Sequence, residues 1–185
     1  MKISKLFVLL LLVSIYGCNA APAESAGESA GDPSEGSTIA QKEVLDAWDR
    51  MTKMVIGTTK KMPAEHFNFS PAEPLAPYGA LVSHTAGANF MFAGTVNLER
   101  PERPEIDTND KEAVVKNLEE SFDFIKNGIK NLSDADLNEE IEWFGRKMSR
   151  LQAILTMTDH LQREYGKNIT YVRLKGNAPD KSGGW

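Results

Sequence analysis

Cysteine and histidine are scarce in this chain of 185 residues, which contains one Cys and three His. A disulfide needs two Cys, and a zinc site made of several thiolates needs at least as many, so both are excluded. Any metal site in this protein must therefore be built from His and carboxylate side chains.

Positive charge is also in short supply, because 21 Lys and Arg stand against 26 Asp and Glu and give a formal net charge of −5. Binding to a nucleic-acid backbone requires a clustered basic surface, and the sequence contains no such cluster. We therefore expect no nucleic-acid partner. The chain also lacks a glycine-rich nucleotide loop, a nucleophile elbow and the carboxylate pair of glycosidases, so these enzyme classes are set aside.

The N-terminus has the pattern of an export signal. Lys2 and Lys5 precede an apolar run over 6–16, which is too short to span a bilayer permanently. The run ends in a small residue followed by Cys18, and this arrangement resembles the lipobox of bacterial lipoproteins, in which the Cys is lipidated. We predict a lipoprotein signal peptide over 1–17 and lipidation at Cys18. An ordinary cleaved signal or an uncleaved anchor is the alternative.

The segment that follows the signal is small and polar. Residues 19–37 comprise Ala, Ser, Gly, Pro, Asn and four acids, with no large apolar side chain. Such a composition cannot bury enough area to offset chain entropy, so we predict a disordered tether over 18–37 and a folded domain over 38–185. Acyl chains on Cys18 would attach the protein to a lipid bilayer. The expected location is therefore the extracytoplasmic or periplasmic face of a bacterial membrane.

Hydrophobic periodicity in 38–185 predicts four long helices. They extend over about 39–62, 78–97, 110–131 and 147–175. The connections are a Pro-rich segment (63–77), a loop (97–107), and a capped turn at 133–136 followed by an extended or hairpin-like crossing up to Gly145. Four helices of this length are the components of a four-helix bundle, so the predicted fold class is all-α.

Apolar residues at helical spacing also predict which face of the last helix lies in the core. These positions are Met148, Leu151, Leu155, Thr158, Tyr165, Ile169 and Val172. Trp48 and Trp143 are interpreted as core residues in the same way.

His84 lies in the strongly apolar second helix. A buried imidazole without a partner costs free energy, so His84 should either ligate a metal or form a hydrogen bond, to a backbone carbonyl or to Asn89. His66 lies in the Pro-rich segment and is interpreted as a solvated or packing residue.

His160 lies in the last helix, four residues before Glu164. This spacing puts the two side chains on one helix face with Cβ atoms about 5–6 Å apart, and a helix can then offer two ligands to one metal. The same spacing is common in exposed pairs without a metal. Arg163 or Lys167 is therefore an alternative partner for Glu164.

These residues belong to segments that resemble the DinB-like (DinB/YfiT) family of four-helix-bundle metalloenzymes. The resemblance covers 38–178 and is carried by 62–71 with 84–89, by 112–137, and by 160–179. The last segment is the most specific. The family typically has His-x-x-x-His, a Gly-Gln pair, Tyr-Leu-Arg-x-x-Gly and Pro there, whereas this chain has Glu164 in place of the second His and Lys167 in place of the Gln.

The resemblance implies a metal triad formed by the second and fourth helices. Carried over to this chain, the ligands are His84, His160 and Glu164. Two His and one carboxylate suit zinc or another first-row divalent ion. The replacement of the second His by Glu164 also fits a family member that has lost its metal.

The resemblance further implies a protein that binds a divalent metal and acts as a metal-dependent hydrolase or a thiol or group transferase on a small-molecule substrate. Together with the N-terminal signal and Cys18, this gives a membrane-anchored DinB-like protein as the leading prediction. Its catalytic residues and its substrate are not identifiable from the sequence, and a homodimer is compatible with the family. The alternative is a metal-free structural or interaction lipoprotein with a degenerate site, which would use the 63–77 and 97–107 loops as contact surfaces.

Overall fold

The computed structural model describes residues 39–103 and 105–181. The predicted signal peptide (1–17), the tether (18–37) and the lipidation residue Cys18 lie outside the described residues. The elements in chain order are α1 (Ile39–Lys61), α2 (Tyr78–Met91), α3 (Lys111–Lys130), α4 (Asp134–Asn138), β1 (Glu140–Trp143), β2 (Arg146–Ser149) and α5 (Arg150–Leu174). The predicted all-α four-helix bundle is confirmed, with α1, α2, α3 and α5 as the long helices. None of the helices in the described ranges is long and apolar enough to cross a membrane.

Side-chain contacts fix the direction of α1 against α3. The Gln41 amide at the start of α1 donates to the carbonyl oxygen of Lys130 at 3.0 Å, at the end of α3. The Lys111 ammonium at the start of α3 donates to the carbonyl oxygen of Lys60 at 3.0 Å, at the end of α1. The two helices are therefore antiparallel.

Helices α2 and α3 are parallel. At their first turns, a methyl group on Gly79 would lie 1.7 Å from the carbonyl oxygen of Thr108, so only glycine permits this approach. Further along, the Asn89 amide donates to the Ser121 hydroxyl at 3.1 Å. The 97–110 connection must therefore cross the length of the bundle.

Helices α2 and α5 are antiparallel. The Tyr78 hydroxyl at the start of α2 donates to the Asn168 side-chain oxygen near the end of α5 at 2.6 Å. The Arg150 guanidinium at the start of α5 donates to the carbonyl oxygen of Gly94 at 3.1 Å, just after α2. The long helices thus run up, down, down and up. We call the contact between α2 and α5 the α2–α5 seam.

The hydrophobic core fills the space between the four long helices. Trp48 is 1% exposed, its indole N–H donates to the carbonyl oxygen of Phe122 at 3.1 Å, and its ring lies 5.3 Å from the Phe122 ring. This matches the interpretation of Trp48 as a core residue. Truncation of a buried Trp or Phe to Ala costs about 3–5 kcal/mol, so this pair is a main contribution to stability.

The predicted start of the last helix at 147 is wrong. Residues Arg146–Ser149 form β2 and pair antiparallel with β1, with Trp143 opposite Arg146. Helix α5 then begins at Arg150, and Ser149 caps it by accepting a hydrogen bond from the Gln152 N–H at 3.2 Å. The hairpin-like crossing predicted before this point is confirmed.

Two other helix ends differ from the prediction. Helix α2 ends at Met91 rather than at 97, because a separate 3₁₀ turn (Ala93–Val96) follows it. Helix α3 begins at Lys111, one residue later than predicted, because Asp110 is its cap: the Asp110 carboxylate accepts hydrogen bonds from the N–H groups of Glu112 and Ala113.

The buried face of α5 agrees only in part with the predicted one. Val172 is fully buried, and Leu151 and Tyr165 pack against the core. Leu155 is 51% exposed, although its apolar side chain placed it in the predicted stripe. The buried face is rotated by about one position, and its members at steps of three and four are Ile154, Met157, Leu161, Glu164, Asn168 and Tyr171. A count of apolar residues alone misses this face because two of its members are polar.

Candidate metal centre

Three potential ligands converge at the α2–α5 seam. His84 projects from α2, and His160 and Glu164 project from adjacent turns of α5. One ligand atom from each lies within 4.8 Å of the other two, and the imidazole rings of His84 and His160 are 5.8 Å apart between centroids. First-row divalent ions bind N and O ligands at about 2.0–2.2 Å, so a set this close can share one ion after small side-chain rotations.

Two of the three converging side chains carry a buried polar atom without a partner. The Nε2 atom of His160 and the Oε2 atom of Glu164 are inaccessible to solvent and form no hydrogen bond with the described residues. Glu164 as a whole is only 4% exposed. Most buried polar atoms in proteins have a partner, so unpartnered atoms on two of the three converging side chains fit a bound cation. Metal binding itself stays a prediction.

His84 differs from its predicted environment. Its side chain is exposed, although the apolar sequence around it indicated burial. Asn89 is not its partner either, because the Asn89 amide donates to Ser121. The interpretation of His84 as a core histidine is therefore wrong. An ion held by this set would be reachable from the surface on the His84 side.

Glu164 has a second partner in Lys167. The Lys167 ammonium donates to the Oε1 atom of Glu164 at 2.7 Å, while Oε2 has no partner. Metal ligation and pairing with Lys167, the two alternatives for Glu164 from the sequence, are therefore compatible, since Lys167 uses one oxygen and leaves the other without a partner. Lys167 fixes the orientation of the carboxylate and directs its second oxygen away from the ammonium.

Burial lowers the pKa of the His160 imidazole below its usual value. The Glu164 carboxylate opposes this effect, and the nearby His84 side chain reinforces it. The net direction favours the neutral imidazole, which is the form that ligates metals.

An aromatic group lies on one side of the three ligands. The Phe92 ring is 5.9 Å from the His160 imidazole and 5.7 Å from the Trp143 indole, and Phe144 completes the group at 4.7 Å from Trp143. Trp143 is half-buried and packs against the core, so its interpretation as a core residue holds only in part. Sequence reasoning missed this group because the β1–β2 hairpin brings Trp143 and Phe144 to Phe92, about 50 positions away in the sequence.

A cavity of about 480 Å³ lies on the opposite side of the ligands. His84, Glu164 and Lys167 form part of its wall, and the other lining residues are Pro74, Leu75, Ala76, Ala80, Leu81, Thr170 and Tyr171. Sequence reasoning missed this cavity too. A run of Pro residues at 71–77 indicates an irregular loop but not the direction in which the loop folds.

His66 is not part of the converging group. It ends the 3₁₀ turn Ala64–His66 and is half-buried, in agreement with a packing role. Tyr165 is partly buried against the core. Neither residue belongs to the candidate metal cluster found among the described residues.

The fold and the ligand set together define a class of protein: an up-down-down-up four-helix bundle with a candidate metal centre between its second and last long helices. A sequence profile described as the DinB superfamily matches residues 47–166. This chain belongs to the DinB superfamily.

Solved structures show the same fold. A DinB-like protein from Bacillus cereus ATCC 10987 is 16% identical, with a TM-score of 0.65 over 75% of this chain and 95% of the other. A DinB-like protein from Bacillus subtilis is 20% identical, with a TM-score of 0.58 over 72% of this chain and 92% of the other. A comparison with curated proteins finds no match.

Proposed function

We propose that this DinB superfamily member binds one divalent metal ion, zinc or another first-row ion, through His84, His160 and Glu164. The observation that carries the proposal is the convergence of His84, His160 and Glu164, whose ligand atoms lie within 4.8 Å of one another, together with a buried, unpartnered atom on both His160 and Glu164. Without a cation, this arrangement leaves two polar atoms uncompensated in a buried seam.

The proposed activity is metal-dependent hydrolysis or group transfer on a small molecule. When bound, a metal of this kind supplies a Lewis acid and lowers the pKa of a water or thiol. The protein contributes three things. The partial burial of His160 lowers its pKa and favours the neutral form, Lys167 holds Glu164 in one orientation, and the exposed His84 leaves the centre accessible from the adjacent cavity.

Metal analysis of a fragment covering 38–185 tests the proposal, because the described hydrophobic core lies entirely within this fragment. We expect about one divalent ion per chain in the wild type and none in His160→Ala. His66→Ala is the matched control, since His66 lies outside the converging group, and it should keep its metal. A wild type that remains metal-free in excess zinc, with an unchanged melting temperature, would support the metal-free structural protein instead.

A second variant tests the carboxylate. Glu164→Gln keeps the shape of the side chain and its contact with Lys167 but removes the negative charge. Loss of an outer-shell partner typically weakens metal binding by about 10–100-fold, so loss of a direct ligand should cost at least as much. Zinc titration by calorimetry measures this effect. Equal zinc affinity in Glu164→Gln and wild type would remove Glu164 from the ligand set.

We also propose that the protein is exported and held on a bacterial membrane through acylated Cys18. Support comes from the charged N-terminus, the short apolar run and the position of the single Cys directly after it. The test is to express the full chain and Cys18→Ala in bacteria with a labelled fatty acid. We expect label and membrane association in the wild type only. Membrane association of both without label would indicate an uncleaved anchor, and release of both would indicate an ordinary signal.

A further inference from the structure

The cavity beside the three candidate ligands has one polar end and one apolar end. His84, Glu164 and Lys167 cluster at the polar end, since Lys167 is paired with Glu164 and Glu164 converges with His84. The remaining lining side chains are aliphatic or aromatic, apart from the Thr170 hydroxyl. A volume of about 480 Å³ falls within the usual range for small-molecule pockets, about 300–1,000 Å³.

The cavity follows the α2–α5 seam away from the ligands. Glu164 and Tyr171 both line it, and seven residues of helix separate them, which corresponds to about 10 Å. Because α2 and α5 are antiparallel, Ala80 near the start of α2 lines the same stretch of the cavity from the opposite helix. The far end is lined by the loop residues Pro74, Leu75 and Ala76.

The loop that lines the far end of the cavity is held in place by hydrogen bonds to its backbone. The Tyr171 hydroxyl donates to the carbonyl oxygen of Ala76 at 2.8 Å, and the Ser70 hydroxyl donates to that of Leu75 at 2.8 Å. The Lys175 ammonium also lies 3.5 Å from the centre of the Phe69 ring. The Leu75 side chain is nevertheless 52% exposed, so it is held at the mouth of the cavity without being part of the core.

We propose that this cavity binds the apolar chain of a small amphiphile whose oxygen, nitrogen or sulfur head group reaches the metal ligands, and that Leu75 determines which chains fit. This inference rests on the proposed metal site, which supplies the partner for the head group. A ligand that is polar at both ends is disfavoured, because its second polar group would lose water at the apolar end without gaining a partner. An apolar chain gains affinity by leaving water there.

Two hydroxamates that differ only in chain length test the proposal on the zinc-loaded 38–185 fragment. Acetohydroxamate probes the metal alone, and octanohydroxamate probes the metal and the cavity together. Each buried methylene improves affinity about fourfold, so we expect octanohydroxamate to bind at least about tenfold more tightly by calorimetry. Equal affinities would overturn the proposal.

Variants locate the effect at the loop. Leu75→Asp should remove the preference for the long chain and leave acetohydroxamate binding unchanged. Leu155→Asp is the matched control, because Leu155 is equally exposed but does not line the cavity, and it should keep the preference. A preference that survives in Leu75→Asp would overturn the role of Leu75.

A metal-free measurement separates failure of the cavity from failure of the metal site. We expect 1-octanol added to the apo fragment to shift the methyl NMR signals of Ala80 and Leu81, which line the cavity, but not that of Leu155. If neither hydroxamate binds and these shifts still occur, the cavity stands and the metal site fails. If both hydroxamates bind equally and no shift occurs, the metal site stands and the cavity proposal fails.

Discussion

Glu164 combines two roles that a buried carboxylate seldom has together. One oxygen accepts a hydrogen bond from Lys167, the other has no partner, and the side chain converges with His84 and His160. The i,i+4 spacing of His160 and Glu164 predicted that they share a face. The spacing could not indicate that Glu164 is only 4% exposed, because burial depends on how α5 is rotated against α1 and α2.

Lys167→Met tests the role of this ion pair. We expect the metal-free fragment to lose about 1–3 kcal/mol of unfolding free energy, because the Glu164 carboxylate stays buried without a cation. Zinc should restore more stability to this variant than to the wild type. Urea unfolding with and without zinc measures both effects.

Lys116→Met is the control for Lys167→Met. The Lys116 ammonium pairs with Glu120 at 3.9 Å on an exposed helix face, where such pairs contribute little. If the two variants lose the same small amount of stability, the Lys167 pair is no more important than a surface pair.

The β1–β2 hairpin carries backbone strain at its tip. Phe144 and Gly145 form the two-residue loop with φ angles of 49° and 74°, and two positive φ angles are the requirement of a type I′ turn. Glycine adopts this conformation readily, but phenylalanine does so at a cost of roughly 1–2 kcal/mol. Phe144 is also 65% exposed, so burial does not compensate for the strain.

Phe144→Asn should therefore stabilise the fragment by about 0.5–1 kcal/mol, since Asn-Gly is the preferred sequence for this turn. Part of the gain is offset by the lost ring contacts with Phe92 and Trp143. Phe144→Ala loses the same contacts without relieving the strain, so it should be less stable than Phe144→Asn. Thermal unfolding of the three proteins gives this order, and a Phe144→Asn variant no more stable than Phe144→Ala would argue against the strain.

Helix α4 begins with a capping box that links its stability to pH. The Ser133 hydroxyl and backbone N–H both donate to the Asp136 carboxylate, and these hydrogen bonds hold the pKa of Asp136 below its usual value of 3.8. The resulting stabilisation is fully present above pH 3.8 and is lost as the pH falls through the lowered pKa.

Ser133→Ala should move the pKa of Asp136 back towards 3.8 and remove part of this acid-sensitive stability. A pH titration of the Asp136 carboxyl carbon by NMR measures the shift. Ser149→Ala removes the cap of α5 instead and should leave the pKa of Asp136 unchanged. An unaltered pKa in Ser133→Ala would mean that the capping box does not control this carboxylate.

The elements that sequence reasoning predicted best are those whose apolar residues share one face. Trp48 and Phe122 pack in the core as the periodicity of α1 and α3 predicts. The predicted start of α5 was wrong because β2 occupies its predicted first turn. Its buried face was predicted only in part because Asn168 and Glu164 lie on that face. Polar residues on a buried face are stabilised by partners on other helices. The sequence pattern of one helix carries no information about those partners.

At the scale of the whole molecule, polar contacts hold both ends of the α2–α5 seam. At one end, Asn168 accepts from Tyr78 and donates to the Thr59 hydroxyl at 2.9 Å, joining α5, α2 and α1. At the other end, Arg150 is 4% exposed and donates to several acceptors at once. These are the carbonyl oxygens of Gly94 and Thr95 after α2, that of Asp136 in α4, and the Glu139 carboxylate. The candidate ligands lie between the Asn168 contacts and the Arg150 contacts.

Arg150→Lys should lower the unfolding free energy by about 2–4 kcal/mol, although it conserves charge. A lysine ammonium cannot reproduce the planar fork of a guanidinium, so several buried carbonyl oxygens would lose their donors. Arg146→Lys, on the exposed hairpin strand, should change stability by less than about 0.5 kcal/mol. Urea unfolding of both variants provides the measurement, and similar losses in the two would exclude a structural role for Arg150.

The long sequence separation across the α2–α5 seam has a kinetic consequence. Tyr78 and Asn168 are 90 positions apart, and contacts this distant close a large loop before they return any stabilisation. The seam should therefore form late in folding. A metal bound across the seam would therefore stabilise the native state but not the folding transition state. In stopped-flow experiments we expect zinc to slow unfolding and leave the refolding rate nearly unchanged. The loaded protein would then persist by opening rarely rather than by folding quickly.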